Sequence, residues 1–432
     1  MGHNFISPTL SDSSSDDASF QIQYPPVVEL GNDLKNHNSI ARTLSRVRTG
    51  ASEPGLPPDG GIRAWTQSYY TISLSRPPSD ISWIGSMQVF FLFVIGVITG
   101  RLTDAGYFRI IFALGSFLVV FGGFMASLST TYWQLFLSQG VCVGLGMGCL
   151  FCPIIKVLST YFHRHRNLAI GLAISGSSTG GVIYPAMARE LLTRIGYDWT
   201  MRYMVFVQLA TLLVANILVK TRLPPRKSGP WIELAAFREV PYSLFAIGMF
   251  FNFWGVYFAF YYIGSFSRDV LGFSYPESLN LLMIMNGVGA IGRILPGFLA
   301  DLWLGPLNVV TPAATMCMVL LYSWNAVDSA TGLYVWAIIY GVFGATVQGL
   351  FPAALSSLTT DLSKAGSRMG MIYTIVSFAN LTGPPLAGAL ISRGNGRYMY
   401  AFAFGGTCLC LGMGFLIACR IAKGGMKWKA KV

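Results

Sequence analysis

The chain has 432 residues, of which 53% are hydrophobic and only 11% charged. Roughly a quarter of a typical soluble domain is charged, so this composition excludes an ordinary water-soluble fold and places the chain in a bilayer. The formal net charge is +12. On a membrane protein such an excess belongs to the loops and tails of one side, so nucleic acid is not an expected partner.

In chain order, residues 1–58 are mostly polar, with Ser11, Ser13, Ser14 and Ser15 interleaved among Asp12, Asp16 and Asp17, and a basic patch at Arg42, Arg46 and Arg48. They read as a disordered tail of cytoplasmic type, without a cleavable signal. Asp59-Gly60-Gly61-Ile62-Arg63-Ala64-Trp65 then leads toward a first span, with Trp65 at the interface. Residues 66–80, however, hold two prolines, two charges and several hydroxyls. They cannot supply the roughly 20 apolar residues of a crossing helix.

Eleven apolar segments follow, at 81–100, 110–128, 133–158, 167–188, 200–219, 241–264, 279–300, 306–325, 331–355, 368–391 and 398–419. The longest polar connection, 220–240, carries Lys220, Arg222, Arg226, Lys227 and Arg238 and reads as a linker between two bundles, 59–219 and 241–420. A basic tail, 421–432, closes the chain. Connectors 101–109, 159–166 and 220–240 and the final tail are basic, which puts them on the cytoplasmic side; Arg393 and Arg397 run against that rule. Counting back from a cytoplasmic end, eleven spans put the first tail outside. All seven cysteines lie in or at the ends of apolar segments, without zinc spacing, and read as buried thiols. No cofactor or metal is called for.

An internal repeat relates the two bundles. Gly100-Arg101-Leu102-Thr103-Asp104 recurs as Gly297-Phe298-Leu299-Ala300-Asp301. Gly140-Val141 recurs as Gly341-Val342, Gly171 as Gly370 and Pro185 as Pro385, at offsets of 197, 201, 199 and 200. Four matches in one order at nearly one offset describe parallel halves. Each half should hold six spans, and the first holds five.

These stretches carry a family resemblance. Residues 59–65 and 161–181 resemble two motifs of the monocarboxylate porter branch of the major facilitator superfamily, and 100–109 is similar to that superfamily's short cytoplasmic connector. The matching positions are Asp59, Gly60, Gly61 and Trp65, then Tyr161, Phe162, Arg164, Gly171, Gly176 and Gly181. The Ser-rich tail resembles that of fungal members, which include carboxylate and riboflavin carriers and exporters of secondary metabolites. The resemblance implies an all-α polytopic membrane protein, with the major facilitator fold of two parallel six-helix bundles and 11 spans here instead of 12. Tyr69-Tyr70 look like residues that follow the first span. The chain thus reads as if that span were cut out between Thr66 and Ser68, by a gene-model error or in a truncated gene.

Arg293 is the sharpest candidate. It lies eight residues before Asp301, roughly 12 Å into the span, where an arginine is costly in lipid and must face the bundle interior or water. It can hold a carboxylate through two nitrogens, or it can pair with a carbonyl or serve a structural latch near the cytoplasmic surface. The family resemblance implies the first. The aspartate that animal carriers place one turn earlier is Gly289 here, and their first-span lysine is missing with the span. Asn252, Trp254, Tyr257, Tyr261 and Tyr262 suit a flat organic ligand, or else ordinary packing. Asn286 and Asn380 are further substrate candidates, and these two, Gln348 and Ser377 can equally be interhelical glue. Arg101, Asp104, Arg109 and Asp301 form the candidate gating latch at the cytoplasmic surface.

The expected function is secondary transport of a small carboxylate or related organic anion by alternating access, with protons as the candidate coupling ion. No P-loop is present. The alternatives are an efflux pump for a secondary metabolite and a non-transporting membrane paralogue; an enzyme is not expected. The expected membrane is the plasma membrane, or else the vacuolar or another internal membrane.

Overall fold

The computed structural model describes residues 78–161, 166–220, 233–359 and 365–425. The motif at 59–65, Phe162, Arg164 and both tails lie outside the described residues. Among the described residues all regular structure is helical. The first span is α1 (Pro78–Val94) and α2 (Gly96–Asp104), nearly continuous across Ile95; α3 is Phe108–Ser127. Then come α4 (Tyr132–Leu135), a π-helical stretch (Phe136–Cys142) and α5 (Val143–Tyr161), followed by α6 (Arg166–Leu218). After a 3-10 turn (Leu234–Arg238) come α7 (Val240–Asp269), α8 (Tyr275–Leu299) with a π-turn (Ala300–Leu304), and α9 (Pro306–Ser323). Helices α10 (Ala330–Ser357), α11 (Ala365–Arg393) and α12 (Met399–Gly424) complete the bundle.

Local chemistry sets the helix ends. The backbone N–H groups of Thr130 and Thr131 donate to Gln134 Oε1 at 2.9 and 3.2 Å, and that of Ser274 donates to Glu277 Oε2 at 2.8 Å. Such capping boxes satisfy N–H groups that lack a partner within the helix. Gly305, at φ 79°, turns the chain from the π-turn into α9, where Pro306 takes the first helical position.

Among the described residues, ten helices are long and apolar enough to cross a membrane. The segment expected to span at 167–188 is helical but is not among the ten, because its Gly, Ser and Thr residues hold its hydropathy down. Nor is 189–199 a loop: α6 stays helical on both sides of Gly196, whose φ of 77° makes the break. Free thiols are found at all seven cysteines; five are buried, Cys142 is partly covered and Cys410 is exposed, correcting the expectation for those two.

The packed core is densest in the second half. Trp324 stacks with Trp336 and Phe402, centroids 4.1 and 4.7 Å apart, and the polar tips of Trp336 and Tyr340 are tied off. Trp336 Nε1 donates to the Leu320 carbonyl at 2.7 Å and the Tyr340 hydroxyl to that of Val256 at 2.9 Å. Between halves, α6 packs along α8, and α1 and α2 pack along α11.

Candidate functional site

The α6–α8 seam is built from glycines. A Cβ at Gly171 would collide with the Arg293 carbonyl oxygen. One at Gly181 would lie 2.7 Å from Asn286 Oδ1, and one at Gly297 would lie 2.8 Å from the Asn167 carbonyl oxygen. The small residues of 161–181 thus bring two backbones together, as small-residue faces do within membranes.

Arg293 sits in that seam, 5% exposed. Its Nη1 donates to Ser178 Oγ on α6, and its Nη2 donates to Gln348 Oε1 on α10 at 3.1 Å. Its Nε and the Gln348 Nε2 are buried without a hydrogen-bond partner. Glycines shape the slot: a Cβ at Gly289 would lie 3.0 Å from Nη1, and one at Gly349 would lie 3.1 Å from Arg293 Cγ. The ion pairs found among the described residues are Arg189 and Arg194 with Glu190, and Arg368 with Glu233 and Glu239. None reaches Arg293, so this buried guanidinium is neutralised by no carboxylate there. Burying an unpaired charge is expensive, and a ligand anion would offset that cost.

Tyr257 stands on α7, which packs against α8, the helix of Arg293. Its ring contacts those of Phe253, Phe260 and Tyr261 at 5.8, 6.5 and 6.4 Å, which makes an aromatic wall on α7. Asn252 does not join it. The two positions are five residues apart, about 140° around a helix. Asn252 instead donates from Nδ2 to the Gly248 carbonyl at 2.8 Å and packs on Gly412 of α12. Asn286 shares the Arg293 face two turns away; its Nδ2 donates to the Leu282 carbonyl at 3.0 Å. Asn380 is buried on α11, which packs along α7 and along α1 and α2. Tyr262 is tied to α11, its hydroxyl donating to the Pro384 carbonyl at 2.6 Å, and Ser377 Oγ donates to the Thr374 carbonyl at 2.6 Å.

At the end bearing the basic connectors, the Asp301 carboxylate accepts from the N–H groups of Asn167 (3.2 Å) and Leu168 (2.8 Å) in the first turn of α6. A carboxylate there satisfies free N–H groups and complements the helix dipole. Arg101 is half-buried in the last turn of α2, Arg109 is exposed, and the Asp104 side chain lies outside the described set. Tyr161 is exposed and its hydroxyl donates to the Lys220 carbonyl at 2.9 Å; a Cβ at Gly176 would meet open space. Sequence reading missed Ser178. The signal was its spacing, seven residues after Gly171 and three before Gly181, which puts all three on one helix face.

A sequence profile of the Major Facilitator Superfamily matches residues 64–361. The chain is 48% identical over 395 residues to an MFS-type transporter of Gibberella zeae, covering 86% of this chain and 89% of that one. It is 32% identical over 364 residues to the aspyridones efflux protein apdF of Emericella nidulans, covering 78% and 74%. The fold superposes on the human organic anion transporter MFSD10 with a TM-score of 0.65 at 14% identity, over 82% and 89% of the two chains. Those matches and the ten apolar helices make this a multi-pass membrane protein, and the chain belongs to the major facilitator superfamily.

Proposed function

We propose that the chain is a secondary transporter that exports an organic anion, whose charged group is held by Arg293 and whose body lies against Tyr257 and Tyr261. The observation that carries this reading is the buried Arg293 guanidinium, which has no carboxylate partner among the described residues. The aromatic wall favours a flat ligand over a small carboxylate. A relative named for efflux of a metabolite supports the outward direction. Alternating access then works by parting the α6–α8 seam, with the Asp301 cap holding its basic end shut. Among the described residues, the acidic side chains with assigned positions sit at or near helix ends or, for Glu190 and Asp198, on either side of the Gly196 break in α6, which leaves proton coupling without a deep carboxylate.

The test is counterflow of fluorescein, an aromatic carboxylate, in proteoliposomes. Arg293→Ala is expected to cut the rate at least about tenfold, the scale of losing one charge-assisted contact. Arg293→Lys should recover part of it, since it restores the charge without the fork. Undiminished counterflow in Arg293→Ala would sink the reading.

The same proposal includes the missing first span. The helix segment Arg194–Leu218 has 17% of its most apolar window buried, whereas Met399–Gly424, its equivalent by repeat order, has 44%. The alignment to the Gibberella zeae relative runs over 395 residues but uses 86% of this chain, leaving roughly one span's worth of positions without a counterpart here. The mature transcript across the codons for Gly60 to Tyr70 is expected to encode an extra apolar stretch of roughly 20 residues. A transcript joined as the present sequence reads refutes this and favours a non-transporting paralogue.

A further inference from the structure

A second polar group is set into the apolar interior away from Arg293. Asn380 on α11 is 3% exposed, and neither its Oδ1 nor its Nδ2 has a hydrogen-bond partner among the described residues. Its surroundings are oriented by the next turn. A Cβ at Gly383 would lie 3.0 Å from Trp254 Cδ1 and 3.7 Å from its Nε1, and the Pro384 carbonyl accepts from Tyr262. Both contacts are to α7, and Asn380 stands one turn earlier, about 40–60° around α11 from them. The Trp254 indole N–H is likewise buried without a partner.

The backbone adds a third group. Pro384 and Pro385 stand inside α11. A proline has no N–H, so the carbonyl four residues earlier loses its helical donor. For Pro384 that carbonyl belongs to Asn380. One short stretch therefore presents a carbonyl acceptor, an amide with donor and acceptor, and an indole donor on the facing helix. Buried polar groups are nearly always paired, and leaving several unpaired together is costly. An asparagine that only glued helices would reach a partner across the seam, as Tyr262 does; Asn380 reaches none.

We propose that Asn380, its own carbonyl and the Trp254 indole form a second subsite, which binds a neutral amide-type group of the transported organic anion. A lactam or carboxamide carries a donor beside an acceptor and matches the complementary pair offered here. This rests on the export reading above for the anionic end of the ligand. Arg293 orients the charge, and the Asn380 and Trp254 groups select among anions of similar size.

The test uses the purified full-length protein and two benzoates of similar size, 4-acetamidobenzoate and 4-isopropylbenzoate, with affinities read by equilibrium titration. The wild-type protein is expected to bind the acetamido compound at least about fivefold more tightly, a ratio on the scale of one neutral hydrogen bond. In Asn380→Leu the ratio should fall to about one or invert. Should that variant fail to fold, Asn380→Ala carries the same comparison. Arg293→Ala should weaken both compounds alike and keep the ratio. If it leaves both affinities unchanged while Asn380→Leu abolishes the ratio, the anion reading fails and the subsite stands. Absence of a preference in the wild-type protein, including absence of binding by either compound, overturns the subsite, as does an unchanged ratio in the Asn380 variants.

Discussion

Replacing Arg368 with alanine is expected to destabilise the folded chain by about 3–5 kcal/mol, the cost typical of removing one partner from a buried ion pair. The Arg368 side chain is 8% exposed and that of Glu233 7%. Arg368 Nε donates to Glu233 Oε2 at 3.2 Å, Nη1 donates to Glu239 Oε2 at 2.9 Å, and Nη2 reaches both carboxylates. The guanidinium carbon lies 5.6 Å from the Tyr242 ring centroid, and the Tyr242 hydroxyl donates to the Arg368 carbonyl at 2.8 Å. Alanine would strand the Glu233 carboxylate in a dry site. Glu239 is half-exposed, so Glu239→Ala should cost only about 1 kcal/mol or less. A paired Arg368→Met, Glu233→Leu change should recover most of the loss, because no charge is then left buried. Thermal unfolding in detergent measures all three. An Arg368→Ala protein as stable as wild type would show that the pair contributes nothing. The clasp fastens the segment before α7 to the first turn of α11. That turn packs on α2, where a Cβ at Gly370 would lie 2.6 Å from Val97 Cα.

Gly171→Leu is expected to abolish fluorescein counterflow. A side chain there meets the Arg293 backbone, which cannot swing aside as a flexible side-chain end can. Overpacking of this kind costs roughly 1–3 kcal/mol and is relieved by pushing α8 away from α6. That displacement would draw Arg293 off Ser178 and loosen the Asp301 contact with the α6 start. Gly176→Leu is the control. It sits five residues along the same helix with nothing within 4 Å, and should change stability by less than about 0.5 kcal/mol. Equal transport rates in the two variants would mean that close α6–α8 approach does not matter.

Much of this was legible in one dimension. Apolar segments between basic connectors marked the helices, because lipid demands long apolar runs and the charge bias sorts the loops. Where reading failed, tertiary context had overridden local pattern. The 167–188 stretch is helical as expected, but its local pattern did not show that its glycines serve close contact with α8. Asn252 was grouped with Tyr257 because both lie in one span, and the rotation of α7 separates them.

The sequence by itself determined residence in a membrane, the order of the helices, the superfamily and the presence of an arginine too deep to be solvated, since hydropathy and charge are properties of local stretches. Only the tertiary structure decided which polar groups meet. Arg293 joins Ser178 across 115 positions and Gln348 across 55, and Asp301 joins Asn167 across 134. Such pairings depend on how each helix is rotated and how closely glycines let it approach, and both are settled by packing the bundle as a whole.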